Sequence, residues 1–150
     1  MIRSAAPILF VILASCGGTP QPREESTDFS YRHTRAEMWR QLCAEVRESW
    51  RIDSLDETAG EINTGWDVQL HAMNTFGRRH RLKITLTGTD ETGYKVAATQ
   101  ETERNMNPNN PLSEPDADWK PMEADGVLAQ RFLIKFHRRM SPTNTWKEGR

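Results

Sequence analysis

Apolar and polar positions change period several times along this chain, and each change marks an element. Residues 7–14 (PILFVILA) form one unbroken apolar run. Residues 17–30 (GGTPQPREESTDFS) offer almost nothing to bury, and their prolines, glycines and charges predict a flexible tether. Over about 34–50, Trp39, Cys43, Val46 and Trp50 recur at helical spacing and predict one apolar face. Thr34 and Glu37 stand where a capping box would open that helix. Residues 51–55 read as a short strand and 56–60 as a turn with Gly60 at its end. The alternation over 61–68 puts Ile62, Thr64, Trp66 and Val68 on one face of a second strand. Residues 69–77 keep no clear period and read as a loop or irregular crossing.

The strongest period-two signal is a hairpin between 78 and 104. Leu82, Ile84 and Leu86 alternate on one arm, Tyr94, Val96 and Ala98 on the other. Pairing Asp90 with Tyr94 leaves Glu91-Thr92-Gly93 as the loop, with Gly93 in the left-handed position. That register sets Lys83 opposite Glu101 and Arg81 opposite Glu103. Residues 105–121 contain Pro108, Pro111, Pro115 and Pro121 and read as a long loop, pinned by Trp119. From about 122 to 140, Leu128, Phe132 and Phe136 recur every four residues in a second helix, which Pro142 stops. The expectation is an α+β domain of two layers. An antiparallel sheet of three to four strands is covered by an N-terminal helix and a long C-terminal helix.

The apolar run is too short to span a bilayer, which takes roughly 20 residues. With Arg3 before it, it has the layout of a secretory signal. It ends Leu13-Ala14-Ser15-Cys16, then Gly17-Gly18. This resembles the lipobox of bacterial lipoproteins: an aliphatic residue, two small ones, then cysteine. The resemblance implies cleavage before Cys16 and a diacylglyceryl thioether on its sulfur. At about 0.8 kcal/mol per buried CH₂, two or three acyl chains anchor a protein firmly. Gly17 stands where many inner-membrane lipoproteins carry Asp, so the resemblance implies the outer membrane, with the domain facing the periplasm. The organisation expected is a signal at 1–15, lipidated Cys16 and tether over 16–30, a domain over 31–140 and a polar tail over 141–150.

Charge and chemistry narrow the function more by exclusion than by assignment. The formal net charge of −1 gives no general attraction for nucleic acid. With Cys16 lipidated, Cys43 has no partner for a disulfide and reads as a small buried hydrophobe on the helix stripe. His33, His71, His80 and His137 show no metal-ligand spacing, and no nucleophile or phosphate-loop motif is present. Neither a catalytic residue, nor a metal site, nor a cofactor is assigned. Arg78-Arg79-His80-Arg81 is the sharpest charge feature. Cross-strand glutamates account for Arg81, leaving Arg78 and Arg79 as candidate contacts for an anionic group. Trp39, Trp50 and Trp66 form a candidate ligand or core face.

The helix followed by Asp56-Glu57-Thr58-Ala59-Gly60 and Glu61-Ile62-Asn63-Thr64-Gly65-Trp66 resembles the helix-grip modules of BamC-type lipoproteins, which accompany β-barrel assembly machinery. The resemblance extends in plan over roughly 34–140 and assigns no binding residue. It implies a non-enzymatic, membrane-anchored module that binds an envelope protein partner. The alternative reading is a carrier or sensor of a small apolar or lipidic ligand, held between sheet and helix against Trp39, Trp50 and Trp66.

Overall fold

The computed structural model describes residues 20–27, 30–70 and 75–141. The apolar run, Cys16, His71 and the tail after Ser141 lie outside the described residues. In chain order the elements are β1 (Arg23–Ser26), α1 (Arg35–Ser49), β2 (Ile52–Asp56), β3 (Glu61–Thr64), β4 (Asp67–Gln69), β5 (Arg78–Thr89), β6 (Gly93–Asn105), β7 (Trp119–Met122) and α2 (Val127–Met140). All strand pairs are antiparallel. They form one seven-stranded sheet in the order β1-β6-β5-β3-β2, with β4 also on β5 and β7 also on β6.

The expectation of three to four strands is therefore corrected to seven, and the extra strands have three origins. β1 comes from the stretch read as tether. Its residues bury little, but their backbone pairs with Ala97 to Gln100 of β6, and backbone pairing leaves no mark in apolar periodicity. The pairing continues past it: Tyr31 exchanges backbone hydrogen bonds of 2.8 and 2.9 Å with Tyr94. The folded unit thus begins before residue 31. β7 comes from the proline-rich loop. Pro121 sits opposite Glu103 on an edge strand, where a missing N–H is tolerated. β4 comes from a break in the strand expected over 61–68. Asn63 pairs with Lys83, whereas Asp67 pairs with His80, so one extra residue enters at Gly65. A slip of one residue reverses the faces. Ile62 and Thr64 point into the core, while Trp66 and Val68 belong to the opposite side.

The central hairpin shows a second difference. Arg81 faces Glu101 and Lys83 faces Thr99, a register displaced by two residues from the expected one. A displacement of two keeps every side chain on its face, so the apolar pattern is blind to it. The cause lies at the tip. Asp90 leaves the strand to accept hydrogen bonds from the Tyr94 hydroxyl (2.7 Å) and from the Arg35 backbone N–H at the start of α1 (3.1 Å). The loop becomes residues 90–92, closed by reciprocal Thr89–Thr92 hydrogen bonds of 3.2 Å. Gly88 and Gly93 flank it at φ +118° and +80°.

Helix α1 follows its sequence signals. Thr34 Oγ1 accepts from the Glu37 N–H at 3.3 Å, and Trp50 closes the other end through its N–H to the Val46 carbonyl. α2 starts later than expected, at Val127, because Trp119–Met122 is taken by β7. Gly126 turns the chain at φ +76°, and Asp125 Oδ1 accepts from the Val127 N–H at 3.0 Å. Met38, Leu42 and Val46 of α1, Phe136 of α2, and Ile62, Leu82, Ile84, Leu86 and Val96 of the sheet are fully buried together. Both helices therefore cover one face of the sheet. Each such side chain contributes roughly 1.5–3 kcal/mol on burial, so apolar packing outweighs the ion pair of Arg139 with Glu45 (2.7 Å) that also joins the helices. Cys43 is a buried free thiol whose pKa burial pushes up. No helix of the described residues is long and apolar enough to cross a membrane.

Candidate functional site on the helix-free face

Among the described residues no helix lies on the other face of the sheet, and its odd-numbered β5 positions run Arg79, Arg81, Lys83. At the end away from the hairpin tip they meet two tryptophans. Trp66 arrives through the extra residue at Gly65, which turns it to this side. Trp119 arrives through β7, opposite Asn105. The Arg79 guanidinium carbon lies 4.4 Å from the Trp66 ring centroid and 4.6 Å from that of Trp119. Arg81 lies 4.5 Å from Trp66. Each such contact is worth about 0.5–1 kcal/mol when partly exposed.

Glutamates from β6 complete the cluster. Arg79 Nε donates to Glu103 Oε2 at 2.7 Å, and Arg81 Nε donates to Glu101 Oε2 at 2.6 Å. Farther up the strand, Lys83 Nζ reaches Glu61 Oε1 of β3 at 3.1 Å, not the β6 glutamate. The cations of β5 on this face are thus each matched by a glutamate, and what the cluster presents is flat aromatic and guanidinium surface. Arg79 and Glu103 are both mostly covered, at 23% and 19% exposure, so the cluster is held in place rather than waving in solvent.

Of the residues singled out in the sequence, Arg79 is held by Glu103 and both tryptophans, so its charge is already answered within the fold. Arg78 points to the other side of the sheet, opposite Arg104, and is exposed. Trp39 is a core residue of α1, and Trp50 packs against that core from the end of the helix. Trp66 is on the opposite face, so the three tryptophans share no wall. Between the sheet and the helices lie packed side chains. A cavity of about 530 Å³ opens instead at the sheet's edge, lined by Pro20, Pro22, Arg23 and Glu123 among others. Cys16 lies outside the described residues.

On the helix-covered side, His80 Nδ1 lies 3.0 Å from Thr102 Oγ1, and Gln100 Nε2 donates to Thr102 Oγ1 and Asp125 Oδ1, each at 3.2 Å. Burial lowers the His80 pKa, and the Val127 N–H lowers that of Asp125. These groups cap α2 and satisfy one another. Among the described residues, no group of three or more His, Cys, Asp or Glu could hold a metal ion.

The arginine–glutamate half of the aromatic cluster was visible in the sequence as alternating charge on a hairpin, but with other pairings: Arg81 was set opposite Glu103, and Arg79, which Glu103 in fact holds, was left for an anionic group. The tryptophan half was not, because a bulge and a proline-bearing edge strand deliver it. No protein-family model matches this chain, and no curated protein matches it. Among solved structures, a TBP-like protein from Parabacteroides distasonis ATCC 8503 is similar at 17% identity and a TM-score of 0.41, over 68% of this chain and 65% of that one.

Proposed function

We propose that this chain is a membrane-tethered, non-enzymatic envelope module that binds a protein partner through the helix-free face of its sheet. One observation carries the reading: Trp66 and Trp119 gathered around Arg79 and Arg81, with Glu101 and Glu103 neutralising both guanidiniums. Tryptophan and arginine are the residues most enriched at the energetic centres of protein interfaces. Ordering them before binding removes part of the entropy cost of association. Because the arginines are already paired, the face suits a mixed protein surface rather than a polyanion. The tether supports the same reading, since a lipid on Cys16 would keep the module beside its partners in the outer membrane.

The test is photocrosslinking in cells from position 68, which shares this face, against position 134 on α2, where Ile134 is 44% exposed. A discrete adduct with one envelope protein from position 68, absent from position 134 and lost in Trp66→Ala/Trp119→Ala, is expected. Equal adducts from both positions, unaffected by the tryptophan changes, would overturn the assignment of the face.

A further inference from the structure

The opposite side of the same sheet end holds a row of like charges. On β5 and β6, Arg78 and Arg104 are direct cross-strand partners, and on β6 and β7 so are Arg104 and Lys120. Three cations therefore stand in one row across three neighbouring strands, about 4.8 Å apart at each step. Like charges set directly opposite one another are destabilising. The fold offers little relief. Lys120 meets Asp118 at 2.9 Å, with both side chains more than half exposed. Arg104 rests against Phe76, 5.1 Å from the ring centroid, and its Nε contacts Met106 Sδ. Among the described residues, neither Arg78 nor Arg104 enters an ion pair. Lys and Arg side chains near an anionic membrane surface are attracted by about 1 kcal/mol each.

The tether leads to this same end. β1 runs antiparallel to β6 with Arg23 opposite Gln100, so the chain before Arg23 heads toward Arg104. Pro20 and Pro22 line one cavity together with Glu123 and Ala124, which directly follow β7. Pro20 follows Cys16 by only four residues, a contour of at most about 14 Å. Because β1 takes up residues 23–26 of the stretch read as tether, an anchor on Cys16 holds the domain close and by one end.

We infer that the row Arg78, Arg104 and Lys120 docks on the anionic headgroups of the bilayer that holds the lipid anchor, fixing the domain's orientation. The inference rests on the lipoprotein reading for its geometry, while the row's charge stands independently. Removing one cation weakens such an interaction about fivefold, and salt screens it within a Debye length.

The experiment uses the full chain purified from membranes and reconstituted into phosphatidylcholine vesicles with or without phosphatidylglycerol. Intact mass first reports whether Cys16 carries lipid. Covalent labelling of lysine and arginine side chains then reports exposure, with Lys95 near the hairpin tip as the reference. Labelling of Arg78, Arg104 and Lys120 is expected to fall several-fold on the anionic vesicles alone and to recover in high salt, with Lys95 unchanged. A lipidated chain whose row labels equally on both vesicles overturns the docking while leaving the anchor intact. Protection that ignores lipid charge and needs an added envelope protein also overturns it, in favour of an acidic protein partner. If Cys16 carries no lipid, co-sedimentation of the chain with anionic vesicles decides. Binding that weakens in Arg78→Gln/Arg104→Gln supports the docking, and no binding, or binding indifferent to those changes, overturns it. If that variant does not fold, the salt response of the unaltered chain decides in its place: release in high salt supports the docking, and salt-independent binding overturns it.

Discussion

Asn105 shows how much one side chain can organise. It is fully buried at the end of β6. Its amide donates to the carbonyls of Asn110 (3.0 Å), Pro111 (3.1 Å) and Ser113 (3.3 Å), and its oxygen accepts from the N–H groups of Asn107 (2.9 Å) and Asp118 (3.0 Å). The proline-bearing segment after β6 thus closes on a single residue, which delivers Trp119 to the sheet. Asn105→Ala would leave several of those backbone groups without partners, at about 1 kcal/mol net for each hydrogen bond lost. A loss of about 3 kcal/mol in denaturant-measured stability is expected, together with loosening of Trp119 seen in its fluorescence. A loss below about 1 kcal/mol would show that the segment orders itself.

His80 makes a pH prediction with a definite sign. Its folded-state pKa lies below the ordinary 6.5 because burial penalises the charged ring. The unfolded chain therefore binds a proton more readily. The stability this residue contributes is fully present above about pH 6.5 and is lost as pH falls from there through the folded-state value. A His80→Gln variant should lose less stability than the parent between pH 7 and 5. A parallel decline in both, followed by thermal melts, would assign the acid sensitivity elsewhere. Asp125, held low chiefly by the Val127 N–H, acts in a more acidic range, where stability is lost as pH falls through its depressed pKa.

At the scale of elements, the hairpin register can be tested directly. Thr85 faces Ala97, not Thr99. In a Cys43→Ala background, Thr85→Cys/Ala97→Cys should crosslink on mild oxidation, and Thr85→Cys/Thr99→Cys should not. The reverse result would restore the register expected from the loop sequence. Gly88 is a second element-scale test. At φ +118°, a Cβ there would overlap the Gly93 carbonyl oxygen of the paired strand. Gly88→Ala should destabilise by more than about 2 kcal/mol, since strain and a backbone clash add.

These same elements show what the sequence could and could not convey. α1, with its Thr34 cap and its Trp39–Cys43–Val46 stripe, was legible because apolar period and capping chemistry agree. The two arms of the hairpin were legible in face but not in register, since a displacement by two preserves alternation and only Asp90's distant partner, Arg35, decides between them. β1 and β7 were not legible. Both are edge strands held by backbone pairing, β7 also through Asn105, forces that carry no hydrophobic periodicity. Trp66 was assigned to the wrong face because one extra residue at Gly65 reverses an otherwise sound alternation. The candidate site inherits this division: its arginines and glutamates were readable as alternating charge but not in their pairing, and the placement of its tryptophans was not readable.

Taken as a whole, the molecule has two different surfaces at one end of its sheet. The helix-free side presents neutralised arginine and tryptophan, suited to a protein. The other side presents Arg78, Arg104 and Lys120, suited to an anionic surface. β1 brings the chain out at that end, within a few residues of Cys16. The proposed account joins the two: a module held at a membrane by one end while its broad face engages a partner. Whether Cys16 carries lipid is therefore the most direct test. Intact-mass measurement of the mature protein extracted from the envelope should show a chain beginning at Cys16 and carrying a diacylglyceryl group, with neither in a Cys16→Ser variant. A mature chain that begins elsewhere, or an unmodified Cys16, would contradict the tethered account at its root.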